Sequence, residues 1–322
     1  MAITITGGAT ITGGATIGTG GSPSPTPAPG ASNFGYTAGG FDGSSYVNNI
    51  DKFPFSSDAN ATDVGDLTRS IGIAAGCSSA TNGYTAAGDQ PQSPGNGASI
   101  QKFAFASDGN ATNIGNMTEF GYYVAGQSSS ASGYASGGLT GNRESVIDKF
   151  PFASDSNGTD VGDLSVARYD ASGQSSSDNG YTSGGRLSSP VTNYNVIDKF
   201  PFSSDTNASD VGDLTSTRLA SAGQSSNTSG YASGGRTAEP QPDVNTIDKF
   251  PFSSDSNATD VGDLTVARRA YAGQSSNASG YTSGGIPGVD NVIDKFPFAS
   301  DGNATDVGDL TLARIGGAGQ QY

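Results

Sequence analysis

The chain has 322 residues, of which 49 are glycine and 15 proline, about a fifth of the total. That share argues against long helices and for many short strands joined by turns. Fifteen basic against 30 acidic side chains give a formal charge of −15, which repels phosphate backbones and excludes nucleic acid as a natural partner.

Residues 1 to 32 differ in composition from everything that follows. Ile3, Ile5, Ile11 and Ile17 alternate with threonines around Gly-Gly breaks, and Ser22 to Pro29 reads as an extended, semi-rigid proline spacer. Such a segment cannot bury enough surface to fold alone. Its strand propensity and unmet backbone groups predict an attachment arm that adds an edge strand to another protein's sheet; a disordered tail is the plainer alternative. The first 21 residues lack the basic start and apolar centre of a secretion signal, and no apolar run reaches the roughly 18 residues of a membrane span. The expectation is a protein neither secreted nor inserted in a membrane.

From residue 33 onward a repeat organises the chain. Ile-Asp-Lys-Phe begins at Ile50, Ile147, Ile197, Ile247 and Ile293, with the variant Ile-Gln-Lys-Phe at Ile100, so copies lie 46 to 50 residues apart. Gly-Tyr-x-x-(Gly/Ala)-Gly surrounds Tyr36, Tyr84, Tyr134, Tyr181, Tyr231 and Tyr281, and segments of the Asp-Val-Gly-Asp-Leu type end at Leu67, Met117, Leu164, Leu214, Leu264 and Leu310. Ala-Gly-Gln-Ser-Ser or a near relative follows at Gly76, Gly126, Gly173, Gly223, Gly273 and Gly319. Each marker has strand composition, which predicts four strands per unit: Ala-Gly-Gln first, Gly-Tyr second, Ile-Asp-Lys-Phe-Pro-Phe third and Asp-Val-Gly-Asp fourth. Four short strands at this period make a propeller blade. The chain enters the repeat at a second strand, Phe34-Gly35-Tyr36, and finishes on a lone first strand, Ala318-Gly319-Gln320. The last strand therefore completes the first blade and removes exposed sheet edges. The predicted architecture is all-β, a closed six-bladed propeller over 33–322 carrying an extended N-terminal arm over 1–32.

The double glycine Gly184-Gly185 after Tyr181, a following strand ending in Asp-Lys-Phe, and Leu164 followed by Arg168 and then Gly173 resemble the order of residues in kelch repeats. The Tyr and Trp pair of kelch repeats is missing; Phe-Pro-Phe stands in the third strand. The wording Ile-Asp-Lys-Phe-Pro-Phe-Ser-Ser-Asp-x-Asn-Ala-Thr-Asp-Val-Gly-Asp-Leu is also similar to repeats of virion structural proteins of marine and cyanobacterial tailed phages. That second resemblance implies a non-enzymatic protein on a phage tail or capsid surface, present in many copies.

Within the repeat, Phe53 and Phe55 share a sheet face and are expected in the core between blades with Val64 and Leu67. Pro54, with no backbone donor, is expected at a bulge or unpaired point of the third strand. Lys52, Lys102, Lys149, Lys199, Lys249 and Lys295 form a ring by symmetry, and a local pair with Asp63 and Asp66 or their equivalents in the same blade outweighs an anion channel. Asp58 to Asp66 has an oxygen-rich cadence, yet it misses the EF-hand spacing, so Asx and Ser/Thr turn chemistry outweighs calcium. Ala106-Ser107-Asp108-Gly109-Asn110-Ala111-Thr112 also resembles the aspartate box of sialidase-like propellers. Asn-x-Ser/Thr triplets such as that at Asn60 read as turn residues, and Cys77 as a reduced strand residue standing in for Gln.

No histidine is present, which removes the commonest general base and the commonest zinc, copper or haem ligand. The expectation is accordingly no catalytic residues, no metal ligands and no cofactor. The copies vary chiefly between the second and third strands, in loops that emerge on the face carrying the links from one blade to the next. Variable loops on a rigid face are where partners dock. Arg143, Arg186, Tyr194, Arg236 and Asp243 are the loop residues selected, with Tyr122 and Tyr123 of a neutral sector in which Gln101, Asn113 and Asn116 replace Asp. Arg168, Arg218, Arg268 and Arg314 hold one link position, where Ile71 and Gly121 stand in the other two.

The function expected is a virion structural or adhesion protein that joins other virion proteins through its arm and presents its loops to a host-surface glycan or protein. A propeller hydrolase or lyase, a carbohydrate-binding lectin and an intracellular peptide-binding kelch scaffold are the alternatives.

Overall fold

A computed structural model describes residues 33–88, 97–119, 121–139, 145–188, 190–237 and 242–321. They form six four-stranded antiparallel sheets arranged in a ring, together with two short two-stranded ribbons on one face. A typical blade, the second, runs Ala75–Ser78, Asn82–Ala86, Ser99–Ala104 and Thr112–Asn116 from the axis outward. In the first blade the innermost strand is Ala318–Gln321, paired with Phe34–Phe41 through Tyr36 opposite Gln320. The closure expected from the two chain ends is therefore present. The arm lies outside the described residues, as do Ile3, Ile5, Ile11 and Ile17.

Glycine at the centre of each innermost strand lets the strands crowd the axis. A Cβ at Gly223 would lie 2.0 Å from the carbonyl oxygen of Gly173, and the same obstruction runs from Gly76 round to Gly319. Beside each glycine, Gln127, Gln174, Gln224, Gln274 and Gln320 donate from Nε2 to the carbonyl of the repeat tyrosine in the next blade, at 2.9 to 3.1 Å. Cys77 fills the sixth place, its Sγ 3.3 Å from the Tyr134 carbonyl. Burial pushes its thiol up to about 12, so it is a packing residue and not a reactive one.

The junctions between blades hold most of the core. The repeat tyrosine stacks on the second phenylalanine of the next blade's Phe-x-Phe, as in Tyr84 on Phe152 and Tyr281 on Phe55, with ring centroids 4.5 to 4.9 Å apart at all six junctions. Such pairs contribute about 0.5–1.5 kcal/mol each beyond simple burial. Six nearly identical junctions, rather than one central core, hold the disc together. Pro54 is the last residue of its strand; the bulge in the ladder lies earlier, between Ile50 and Asp51.

The lysines pair differently from the expectation. Lys52 reaches Asp108 of the next blade, and the ring continues through Lys102–Asp155, Lys149–Asp205, Lys199–Asp255, Lys249–Asp301 and Lys295–Asp58, at 2.5 to 3.0 Å. The same turn donates a second tie: the Asn60 Oδ1 accepts the backbone N–H of Asp309, and five equivalents do likewise at 3.0 to 3.1 Å. Asp63 is meanwhile engaged by the N–H of Gly65 and by Asn49 Nδ2. The oxygen-rich turns thus serve as clasps between neighbouring blades.

Candidate functional site

Successive antiparallel strands give the disc two unlike faces. One carries the short turns with the lysine and asparagine clasps. The other carries the variable loops and the links between blades, as the strand order predicts, and its axis holds a cavity of about 480 Å³.

The floor of that cavity is a closed collar. Six resides after each repeat Leu or Met comes a residue with left-handed backbone: Ile73, Tyr123, Asp170, Ala220, Ala270 and Gly316, with φ between 54° and 64°. Each donates its N–H to the carbonyl of its counterpart in the preceding blade. The bonds run from Ile73 to Gly316, Gly316 to Ala270, Ala270 to Ala220, Ala220 to Asp170, Asp170 to Tyr123 and Tyr123 to Ile73, at 2.6 to 3.0 Å. Left-handed backbone is costly for side chains other than Gly, and worst for a β-branched one such as Ile73. The ring of hydrogen bonds fixes it in place. All six collar residues line the cavity, so its backbone is six-fold while its side chains run from large (Ile73, Tyr123) and acidic (Asp170) to small (Ala220, Ala270, Gly316).

Around this floor stand Arg186, Arg236 and Arg269, with Phe41, Tyr46 and Tyr271 completing the wall. Three guanidinium groups gather at one spot on a chain whose net charge is −15. Asp170 is buried, and its carboxylate lies 3.2 Å from Arg186 Nη2. Burial pushes its carboxyl up to about 7, against the opposing pull of Arg186 and Arg269. Arg186 also lies over the Tyr169 ring, 4.7 Å from its centroid, while Arg269 is paired with Asp243 at the rim.

Of the loop residues selected from sequence, Arg186, Arg236 and Tyr123 therefore come together in one cavity. Asp243 stands behind it, holding Arg269. The Tyr122 ring packs tilted against that of Tyr123, centroids 5.2 Å apart, and its backbone bridges to Leu139. Tyr194 is not in the wall; its backbone closes the loop, donating to Gly185 and accepting from Arg218. Arg143 lies outside the described residues. The idea of a neutral surface in the second blade needs correction for Gln101, which is wholly buried and accepts from the backbone and hydroxyl of Thr68.

Arg269 and every collar residue except Tyr123 were missed. Aligning the six copies by their Leu would have exposed them, because the fifth residue onward changes in almost every blade within an otherwise repetitive frame. Among the described residues, no group of three or more Cys, Asp or Glu is placed to hold a metal. No family model matches the chain, and no curated protein matches it.

Proposed function

We propose that the protein is a non-enzymatic component of a phage particle, on its tail or capsid surface. Residues 1 to 32 fix it to other virion proteins, and the loop face meets a host-surface glycan or protein. One observation carries this reading. Asn33 accepts the N–H of Phe55 at 2.9 Å on the turn face, so the leader joins the ring on the side opposite the axial cavity. A tether on one face and a binding surface on the other is the geometry of a displayed module.

The virion setting is supported by the likeness of the repeat wording to phage structural proteins, and the kelch-like order of residues fits a module that binds rather than one that catalyses. The make-up of the cavity agrees: its acidic residue, Asp170, is tied to Arg186, and there is no histidine to act as a base. Deleting residues 2 to 30 tests the proposal. The truncated chain should fold and stay monomeric but be missing from purified particles by mass spectrometry. Packaging at full-length levels, or turnover of a substrate by the purified protein, would overturn it.

A further inference from the structure

We propose that the junction between the second and third blades binds a guanidinium group from outside the chain, with Asp148 as its counter-ion and the carbonyls of Gly137 and Val146 as further acceptors. The site lies among the links between blades, apart from the axial cavity, and does not depend on the virion reading. Sister junctions of the same ring show what belongs there. At the junction into the fifth blade, Arg218 donates from Nη2 to Asp248 Oδ2 at 2.7 Å and from Nη1 to the carbonyls of Gly234 and Thr246 at 3.3 and 3.1 Å. Arg314 repeats the arrangement with Asp51, Gly39 and Asn49.

At the junction into the third blade, Gly121 holds the arginine's place in the repeat. Its backbone follows the same course: the Gly121 carbonyl accepts the N–H of Gly88 at 2.8 Å, as the Arg218 carbonyl accepts that of Gly185 at 2.8 Å. The carboxylate is held the same way too. Asp148 accepts the Thr118 N–H at 2.9 Å and its hydroxyl at 2.7 Å, as Asp248 accepts those of Thr215 at 2.9 and 2.7 Å. Only the guanidinium is lacking. In its stead is a cavity of about 20 Å³ lined by Asp148, Gly137, Val146, Glu119 and Gly121, among others.

The charge of this hole favours a cation. Among the described residues that line it are two carboxylates and no basic side chain. Burial, reinforced by Asp160 and Glu119, lifts the Asp148 carboxyl above its usual range, as expected of a carboxylate without a counter-ion. A ligand can also reach it. Asp148 keeps 5% of its surface exposed, against 0% for Asp51, Asp198, Asp248 and Asp294.

Size and donor geometry select the ligand. The cavity somewhat exceeds the roughly 10–15 Å³ that one water needs, so it has room for a head group and not for a whole amino acid or sugar. A guanidinium is flat and carries its N–H groups in a fork, which can meet a carboxylate with one nitrogen and carbonyls with another; an ammonium is a point charge without that fork.

The test titrates the full-length chain with methylguanidinium, with methylammonium at equal ionic strength and with N-acetyl-arginine amide, following the Asp148 and Thr118 amide signals by NMR. Methylguanidinium should bind saturably at one site per chain and more tightly than methylammonium. Asp148→Asn keeps an acceptor for Thr118 and should weaken binding about tenfold or more, the loss of a charged hydrogen bond. Gly121→Arg should abolish binding by filling the hole from within, with a melting temperature no lower than the parent's. N-acetyl-arginine amide binding as tightly as methylguanidinium upholds the site and assigns it to an arginine side chain of a partner protein. Weaker binding of the amide upholds the site for a free guanidinium compound.

No saturable binding of methylguanidinium, equal binding of methylammonium, or full affinity in either variant would overturn the assignment. Such failures leave the virion role to be judged separately by the packaging of the truncated chain.

Discussion

Four of the six junctions between blades bury an ion pair at a place where the other two do not. Arg168 with Asp198, Arg218 with Asp248, Arg268 with Asp294 and Arg314 with Asp51 are sealed from solvent. At the junction into the second blade both charges are gone, and Ile71 and Gln101 stand in their places. The junction into the third blade is mixed: Gly121 replaces the arginine, yet Asp148 remains, buried and bonded to the N–H and hydroxyl of Thr118. Burial holds the Asp148 carboxyl above its usual range.

The constant feature is therefore the acceptor, Asp or Gln, that binds the Thr or Ser after the repeat Leu. The arginine is a counter-charge that a neutral acceptor does not need. This follows from the cost of burying an unpaired ion, which exceeds what a buried pair contributes over a neutral one.

The comparison breaks most sharply at Arg218. Arg218→Ala strands Asp248 in the core and should cost about 3–5 kcal/mol in urea unfolding, while Arg218→Ile with Asp248→Gln, copying the second blade, should restore most of it. A single variant as stable as the parent would show that the pair is not a unit.

Asp148→Gln sharpens the comparison from the other side. Because its folded-state carboxyl titrates above the unfolded value, the parent is helped at acid pH and loses that help as pH rises. The variant should thus equal or exceed the parent in melting temperature at pH 8 and lose its advantage near pH 4. A parent more stable than the variant at pH 8 would contradict the account.

Cys77→Gln restores the repeat's own hydrogen bond to the Tyr134 carbonyl and should add about 0.5–1.5 kcal/mol. A loss of stability there would mean that the junction between the second and third blades differs from the others in shape as well as wording. Smallest is Lys52→Ala, which removes one solvent-facing clasp with Asp108. It should cost about 0.2–1 kcal/mol and less in high salt.

Much of the ring could be read before any coordinates, because strand alternation, the double glycines and the orphan Ala318-Gly319-Gln320 strand recur or complete one another. The arginines could not be placed this way. In a link between strands a charged residue reads as exposed, and only the packing of neighbouring blades buries Arg168 and its equivalents. Lys52 was misassigned for a related reason: its partner Asp108 lies 56 residues away, in a copy that looks the same as its own. The cavity was half legible. Arg186 and Arg236 stood out as loop residues, but Asp170 belongs to the collar, and Arg269 directly precedes the collar residue Ala270, in a left-handed turn that has no signature apart from Gly316.

The account rests on a disc with its tether on one face and its ligand site on the other. Cryo-electron microscopy of the particle, resolving the orientation of the ring, tests it most directly. The account predicts that the face with Arg186, Arg236 and the collar points outward while Asn33 and the lysine clasps face the particle body. A ring seated with its axial cavity against the particle would contradict it.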